Sequence, residues 1–316
     1  MTTRRQLLQS ALGAAYLTQA ASGKASQPST KPSFVVPDHA CDCHTHIYGD
    51  PAQYPLWPGR SYTPEVATPA EMAALHRALQ IERVVIVTPS VYGTDNSATL
   101  AGLKARSGTA RGVAVIDDKT TEDELDRLHR AGFRGIRLNL SSAGQNDPAL
   151  GRARLEAAIA RVASRGWHIQ MFTNLAVIAG IAELVQRSKV PIVFDHFGGA
   201  QLPKGTGQPG FDVLLSLVRS GQAYVKISLA GANTTLTREA KPLAEALIAA
   251  NPERILWGTD WPHPDSAPRA GRRPTDVVPF NTVDDGAILN QLPLWAPEAR
   301  VRKQILADNP ERLYAF

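Results

Sequence analysis

Asp42, His44 and His46 occupy alternate positions in "DCHTHIYG", residues 42 to 49. Successive side chains of a β-strand point to opposite faces, so these three are expected on one face and Cys41, Cys43 and Thr45 on the other. Imidazoles beside a carboxylate can ligate a metal, relay protons or stabilise a developing negative charge. Buried, such a row costs stability unless it is paired or ligated. Other polar residues stand at the ends of apolar runs: Ser90 closes "RVVIVTPS", while His196 and Asp260 lie at the ends of "PIVFDH" and "ILWGTD". Arg137 and Asn139 alternate with Ile136, Leu138 and Leu140, and Tyr224, Lys226 and Ser228 alternate with Val225, Ile227 and Leu229.

Those residues need a scaffold that gathers strand ends. Eight short runs rich in Val and Ile read as strands, near residues 40–47, 83–90, 111–117, 135–140, 168–173, 191–198, 223–230 and 255–261. Between several of them lie segments with apolar residues at three- and four-residue spacing, such as "PAEMAALHRAL" and "AVIAGIAELVQRS". Strand and helix in alternation predict a parallel sheet with crossover helices. Eight such units over about 250 residues fit a single (β/α)8 TIM barrel, whose C-terminal mouth collects the strand-end residues. An open doubly wound sheet would want an early Gly-rich phosphate turn, and no GxGxxG occurs.

The remaining candidates divide by position. His168 opens its strand and so belongs to the stability face. His76 and His129 fall in amphipathic helices and read as solvated, and His39 carries no signal. Asp195 is expected to turn toward the helix layer as a structural residue. His263, in "WPHP", is either a substrate-side residue or loop packing. Trp57, Tyr62 and Tyr92 follow the first two strands and could form a substrate wall. Residues 197–210, "FGGAQLPKGTGQPG", read either as a lid or as a plain connection. Cys41 and Cys43 are too close along one strand for a good disulfide and read as small buried apolar side chains.

The 316 residues are 43% hydrophobic and 20% charged, enough for a full core. The formal charge of +5 owes three charges to Arg4, Arg5 and Lys24, and no basic-aromatic run follows. Nucleic-acid binding is therefore not expected. The paired arginines, the weakly apolar stretch from Leu7 to Leu17 and the small residues near Ala20 to Ala25 predict a twin-arginine export signal over residues 1–25. That stretch is too short to span a bilayer. A flexible lead-in over 26–37 and a barrel domain over 38–316 follow, placing a monomer or homodimer in the periplasm with no stable membrane association.

From about Asp38 onward the chain resembles the amidohydrolase superfamily, in particular its 2-pyrone-4,6-dicarboxylate lactonase-like branch. The resemblance rests on "DCHTHIYG", "YTP", "SVYGTDN", "RGVAV", "GIRLN", "GWHI", "PIVFDHFG", "ILWGTDWPHP" and "NPERLY". It implies that His44, His46, His196 and Asp260 form a hydrolytic centre and that Tyr62, Ser90 and Arg137 hold substrate, with Arg137 on a carboxylate. An arginine expected after strand seven and a tyrosine at the end of strand five are replaced by "LAGANTT" and Phe172. Strand four lacks the Lys or Glu, and strand five the His, of two-metal relatives. His44, His46 and Asp260 could hold one Zn²⁺, while the resemblance equally allows hydrolysis without metal.

The expected function is opening of a carboxylate-bearing lactone by water, with Asp260 as general base and the three histidines stabilising the oxyanion. Arg137, Ser90, Tyr62, Asn139, Lys226 and His263 are the expected substrate contacts. Two other readings use the same residues: a metal-dependent non-oxidative decarboxylase, or a periplasmic binding protein without turnover.

Overall fold

The computed structural model describes residues 25–229, 234–267 and 269–316. Eight parallel strands follow one another around a barrel: β1 Cys41–Thr45, β2 Arg83–Val87, β3 Ala110–Ala114, β4 Phe133–Asn139, β5 His168–Phe172, β6 Ile192–Phe194, β7 Ala223–Lys226 and β8 Ile255–Leu256. The chain beyond β8 returns to β1, where Cys43 N donates to Trp257 O at 2.9 Å and Asp260 N donates to His44 O at 2.8 Å. This closure depends on Gly258, because a Cβ there would lie 2.8 Å from the backbone nitrogen of His44.

Crossover helices α1 Pro69–Leu79, α2 Ser97–Ala105, α3 Glu122–Arg130, α4 Pro148–Val162, α5 Leu175–Arg187, α6 Phe211–Arg219 and α7 Thr234–Ala250 cover the outside. Local sequence sets their starts. Thr68 and Glu71 form a reciprocal capping box with Pro69 in the first turn of α1, and Asn174 caps α5 through the backbone of Val177. The amphipathic spacing puts Leu175, Ile178, Ile181 and Val185 of α5 against the barrel. Among the described residues, no helix is long and apolar enough to cross a membrane.

Short helices α8 Asp285–Leu289, α9 Leu292–Trp295, α10 Ala299–Lys303 and α11 Asn309–Tyr314 end the chain. Cys41, Cys43, Val85, Val87, Val113, Val193, Leu256 and Tyr314 form one buried cluster. Their strand neighbours Val84, Ile86, Ile192 and Phe194 join the larger cluster with the helices. The smaller cluster is thus the barrel interior, with α11 across its N-terminal end. His168 sits there as a structural residue, edge-on to Tyr314 with ring centroids 5.0 Å apart.

This arrangement corrects the face assignment of β1. Cys41 and Cys43 face inward, whereas Asp42 turns outward to His76 of α1. His44 nevertheless faces inward, because the pairing of β1 with β2 shifts register between Asp42 and Thr45. An extra residue in a strand reverses the alternation beyond it. Thr45 accordingly bonds outward to Met72 of α1. His76 is corrected with it: only 1% exposed, it contacts Asp42 Oδ2 at 3.3 Å and accepts from Arg106 at 3.1 Å. Both cysteines are free and buried.

Residues 26–37, expected to be a flexible lead-in, are tied to the barrel. Ser29 and Thr30 hydroxyls donate to Asp284 at 2.7 and 2.6 Å, and the Ser26 carbonyl accepts from the Trp261 indole at 3.0 Å. The expected signal over 1–25 lies outside the described residues save Ala25.

Candidate active site

Three imidazoles and one carboxylate meet at the C-terminal mouth of the barrel. His44 Nε2, His46 Nε2 and His196 Nε2 stand 3.5, 3.6 and 3.8 Å from Asp260 Oδ1. Two of the four residues reach this point through unusual backbone. Asp260 has φ 67° and His196 φ 49°, the left-handed region that non-glycine residues rarely adopt. Such conformations persist when the surroundings over-determine them. For Asp260 the determinant is next door. Thr259 donates through its amide and hydroxyl to Asp42, at 3.0 and 2.6 Å, and its hydroxyl accepts from Trp261 N at 3.0 Å. Asp42 also accepts from His44 N at 3.1 Å, so one outward carboxylate holds both site strands.

Each ring is oriented from behind. His46 Nδ1 donates to Val87 O at 2.7 Å, which turns its Nε2 toward Asp260. His196 Nδ1 shares a hydrogen bond with Ser228 at 2.8 Å. His44 Nδ1 lies 3.3 Å from Asp195 Oδ1 and 3.4 Å from Lys226 Nζ, between an acceptor and a donor. Burial and then the Lys226 charge hold His44 well below the usual histidine range. Burial likewise lowers His196. For Asp260 burial pushes upward, but the pull of His196, His46 and His44 outweighs it, and the carboxyl lies far below its ordinary value.

The Asp195 expectation is overturned. Val193 points into the barrel, so Asp195 does too, and the left-handed turn at His196 sends the next side chain inward as well. Asp195 is fully buried and gathers Gln170 Nε2 at 3.0 Å, Arg137 Nε at 3.1 Å and Lys226 Nζ at 3.6 Å. Burial raises its pKa, yet the charges of His44, Lys226 and Arg137 hold it well below the carboxylate range. Burial lowers Lys226 in turn.

Above the cluster opens a cavity of about 370 Å³, lined by His46, His196 and Asp260 together with Tyr62, Ser90 and Arg137. Lys226, Asn139 and His263 do not line it. Lys226 is fully buried one layer below, donating to Gln170 Oε1 at 2.6 Å. Asn139 is half-buried at the end of β4, and its Oδ1 has no partner among the described residues. His263 is buried against Asp285 at 2.9 Å. Nor do residues 197–210 line the cavity. Of the aromatic set only Tyr62 does; the Tyr92 hydroxyl instead accepts from Gly49 N at 2.9 Å, and Trp57 is half exposed.

Sequence reading missed the rim formed by Pro264, Asp265, Ser266, Ala267, Arg269 and Asn281. These residues follow β8 in irregular chain, where no periodicity marks a face. The cation-rich "PRAGRRP" beside Asp260 is the signal that could have pointed to them. A two-strand ribbon fastens this rim to the Tyr62 loop by pairing Val277 with Thr63 and Val278 with Pro64.

The donor set fits a metal ion. Among the described residues Nε2 of His44 is buried without a hydrogen-bond partner, and atoms of His44, His46 and Asp260 all lie within 4.8 Å of one another. Ring nitrogens oriented from behind, with their outer Nε2 atoms gathered around one carboxylate oxygen, are the arrangement that metal-binding histidines show. The segment "LAGANTT", read as displacing a family arginine, falls largely outside the described residues.

A parallel (β/α)8 barrel with histidines and an aspartate at its C-terminal mouth defines a class of barrel hydrolases. The family model described as Amidohydrolase matches residues 41–316, and the chain belongs to that family. It is 31% identical over 297 residues to a 2-pyrone-4,6-dicarboxylate hydrolase of Comamonas testosteroni, covering 90% of this chain and 93% of the relative. It is also 31% identical over 287 residues to a 4-sulfomuconolactone hydrolase of Hydrogenophaga intermedia, covering 89% and 90%. Among solved structures, a protein of Agrobacterium tumefaciens superposes with a TM-score of 0.74 at 26% identity, covering 90% of this chain and 98% of that one. The protein is an enzyme of the amidohydrolase type.

Proposed function

We propose that this enzyme opens a small carboxylate-bearing lactone by water attack, with Asp260 as general base. The observation that carries the reading is the convergence of three imidazole Nε2 atoms on Asp260 Oδ1, beneath a cavity whose wall presents Arg137. The relatives named as lactone hydrolases support it. Water placed against Asp260 Oδ1 attacks the lactone carbonyl and gives its proton to the carboxylate. The carbonyl oxygen becomes an oxyanion facing the imidazole edges, and the ring C–O bond then breaks, its oxygen recovering the proton. A carboxylate held this low is a weak base, so its contribution comes from position, within the typical 10² to 10⁴-fold range of about 3 to 5 kcal/mol.

Arg137 has its Nε committed to Asp195, while its terminal nitrogens have no partner among the described residues. That fork suits a carboxylate. Tyr62, bonded to the Tyr48 hydroxyl at 2.9 Å, and Ser90 line the same wall. Burial pushes Tyr62 up to about 12, so its hydroxyl stays a proton donor at neutral pH. When held by His44, His46 and Asp260, a divalent cation such as Zn²⁺ supplies Lewis-acid polarisation and a more acidic water. The test is acid release from a lactone panel by metal-stripped and zinc-loaded protein. Lactone turnover undiminished in Asp260→Asn removes the reading.

Export through the twin-arginine route is part of the same proposal, supported by Arg4 and Arg5 ahead of the apolar stretch. N-terminal sequencing of protein from the periplasmic fraction should begin near residue 22 or 26; a chain starting at Met1 overturns it.

A further inference from the structure

The rim after β8 carries more positive charge than its own carboxylates neutralise. Asp265 is largely buried, forms an ion pair with Arg269 Nη2 at 2.7 Å and accepts from Arg272 Nη1 at 3.1 Å. Arg272 is committed to the loop, since it also donates to Ala267 O. Arg273 pairs with Asp276 at 2.7 Å. Two guanidinium groups thus share one carboxylate, leaving a net charge of about +1 at the rim. Of the pair, Arg269 lines the cavity, is 65% exposed and has no other partner among the described residues. Its N–H donors make no hydrogen bond among the described residues, and its planar fork suits carboxylates and other oxyanions.

On the inner wall, Arg137 is the other cationic residue among those lining the cavity, held by Asp195 beneath and by the face of Phe172, 5.1 Å from its guanidinium carbon. Arg137 stands in β4 and Arg269 follows β8, four strands apart in the barrel order, and His46, His196 and Asp260 line the same cavity. The cavity therefore has one cation anchored by Asp195 on its inner wall, an exposed one at its rim, and the reacting groups on the same lining.

We propose that Arg269 is a specificity-determining residue that engages a second anionic group of the substrate, on the side of the ring away from the carboxylate held by Arg137. This deepens the lactonase reading and rests on it. Asp265 parks the Arg269 fork at the rim, and a substrate oxyanion takes up its free donors while Arg272 keeps Asp265 compensated. A guanidinium contact at a partly exposed rim acts mainly on binding, since it is remote from the carbonyl.

The experiment compares the full-length enzyme with Arg269→Gln and Arg269→Lys. Ring-matched lactones bearing one carboxylate are set against those bearing a second carboxylate or sulfonate. Arg269→Gln should raise KM for the doubly charged lactones at least tenfold, with kcat and the singly charged lactones within twofold of wild type. Arg269→Lys should recover part of the loss. In a parallel arm, isophthalate and benzoate serve as planar di- and monocarboxylate probes in calorimetric titration, and only isophthalate should weaken in Arg269→Gln. Equal changes for singly and doubly charged ligands, or none, overturn the role of Arg269. Wild-type enzyme inert toward every lactone overturns the lactonase reading instead, and the binding arm still decides on Arg269.

Discussion

Asp195 and Asp260 are both buried carboxylates ringed by nitrogen, one layer apart in the same barrel, and they are held in opposite ways. Asp195 is fully enclosed, with Gln170 and Arg137 at 3.0 and 3.1 Å and Lys226 beneath. Asp260 opens on the cavity, and its imidazole neighbours stand back at 3.5 to 3.8 Å. A carboxylate enclosed by an arginine, a lysine and an amide, with no opening to the cavity, is a strut held by the charge around it. One held near its partners without closing on them keeps an oxygen for water, substrate or metal. Activity should therefore concentrate in Asp260 and stability in Asp195.

The sharpest way to break that contrast is Asp260→Asn, expected to lose about 10² to 10⁴-fold in kcat/KM with the thermal midpoint unchanged or raised, since active-site groups are commonly held at a cost in stability. A parallel drop in melting temperature would make Asp260 another strut. Next comes Asp195→Ala, which strands Arg137 and Lys226 and should cost about 3 to 5 kcal/mol in denaturant unfolding. A change under 1 kcal/mol would show that the lower layer carries little load.

The lower layer also makes a pH prediction through His168. Burial, with help from the Lys226 charge, depresses this histidine to about 3, against an ordinary 6.5. Between those values the unfolded chain binds the extra proton and the folded one does not. Stability is thus complete above pH 6.5 and falls by about 1.4 kcal/mol per pH unit below it. His44 and His196, also lowered, steepen the fall. Urea midpoints at pH 7, 6 and 5 should show this slope, and His168→Gln should flatten it; an unchanged slope rejects the assignment. The smallest effect belongs to the cavity wall. Tyr62→Phe removes one hydroxyl and should raise KM up to about tenfold, in line with about 0.5 to 1.5 kcal/mol for one hydrogen bond. An unaltered KM would take Tyr62 off the substrate surface.

Much of this contrast was legible in the residues themselves. Eight apolar runs and the helical spacing between them specify a parallel barrel, and His44, His46, His196 and Asp260 lie where strands end. Arg137, Ser90 and Tyr62 do line the cavity. Lys226 was misplaced by depth, since alternation tells which face a side chain takes but not how far below the mouth it sits. His263 packs against Asp285, 22 residues on in α8, which is the loop-packing alternative that its sequence context left open. Arg269 and Asn281 went unread because irregular loops carry no period.

What the chain determined alone is its periodicity: strand, helix, caps and the strand-end placement of the acids and imidazoles all follow from local spacing. What only the folded barrel decided is direction at the points where spacing breaks. The register shift in β1 turns Cys43 and His44 to the same side, and the left-handed turn at His196 does so for Asp195 and His196. Both breaks are stabilised by contacts from distant chain, Asp42 with Thr259 and Ser228 with His196, so no window of neighbouring residues contains their cause.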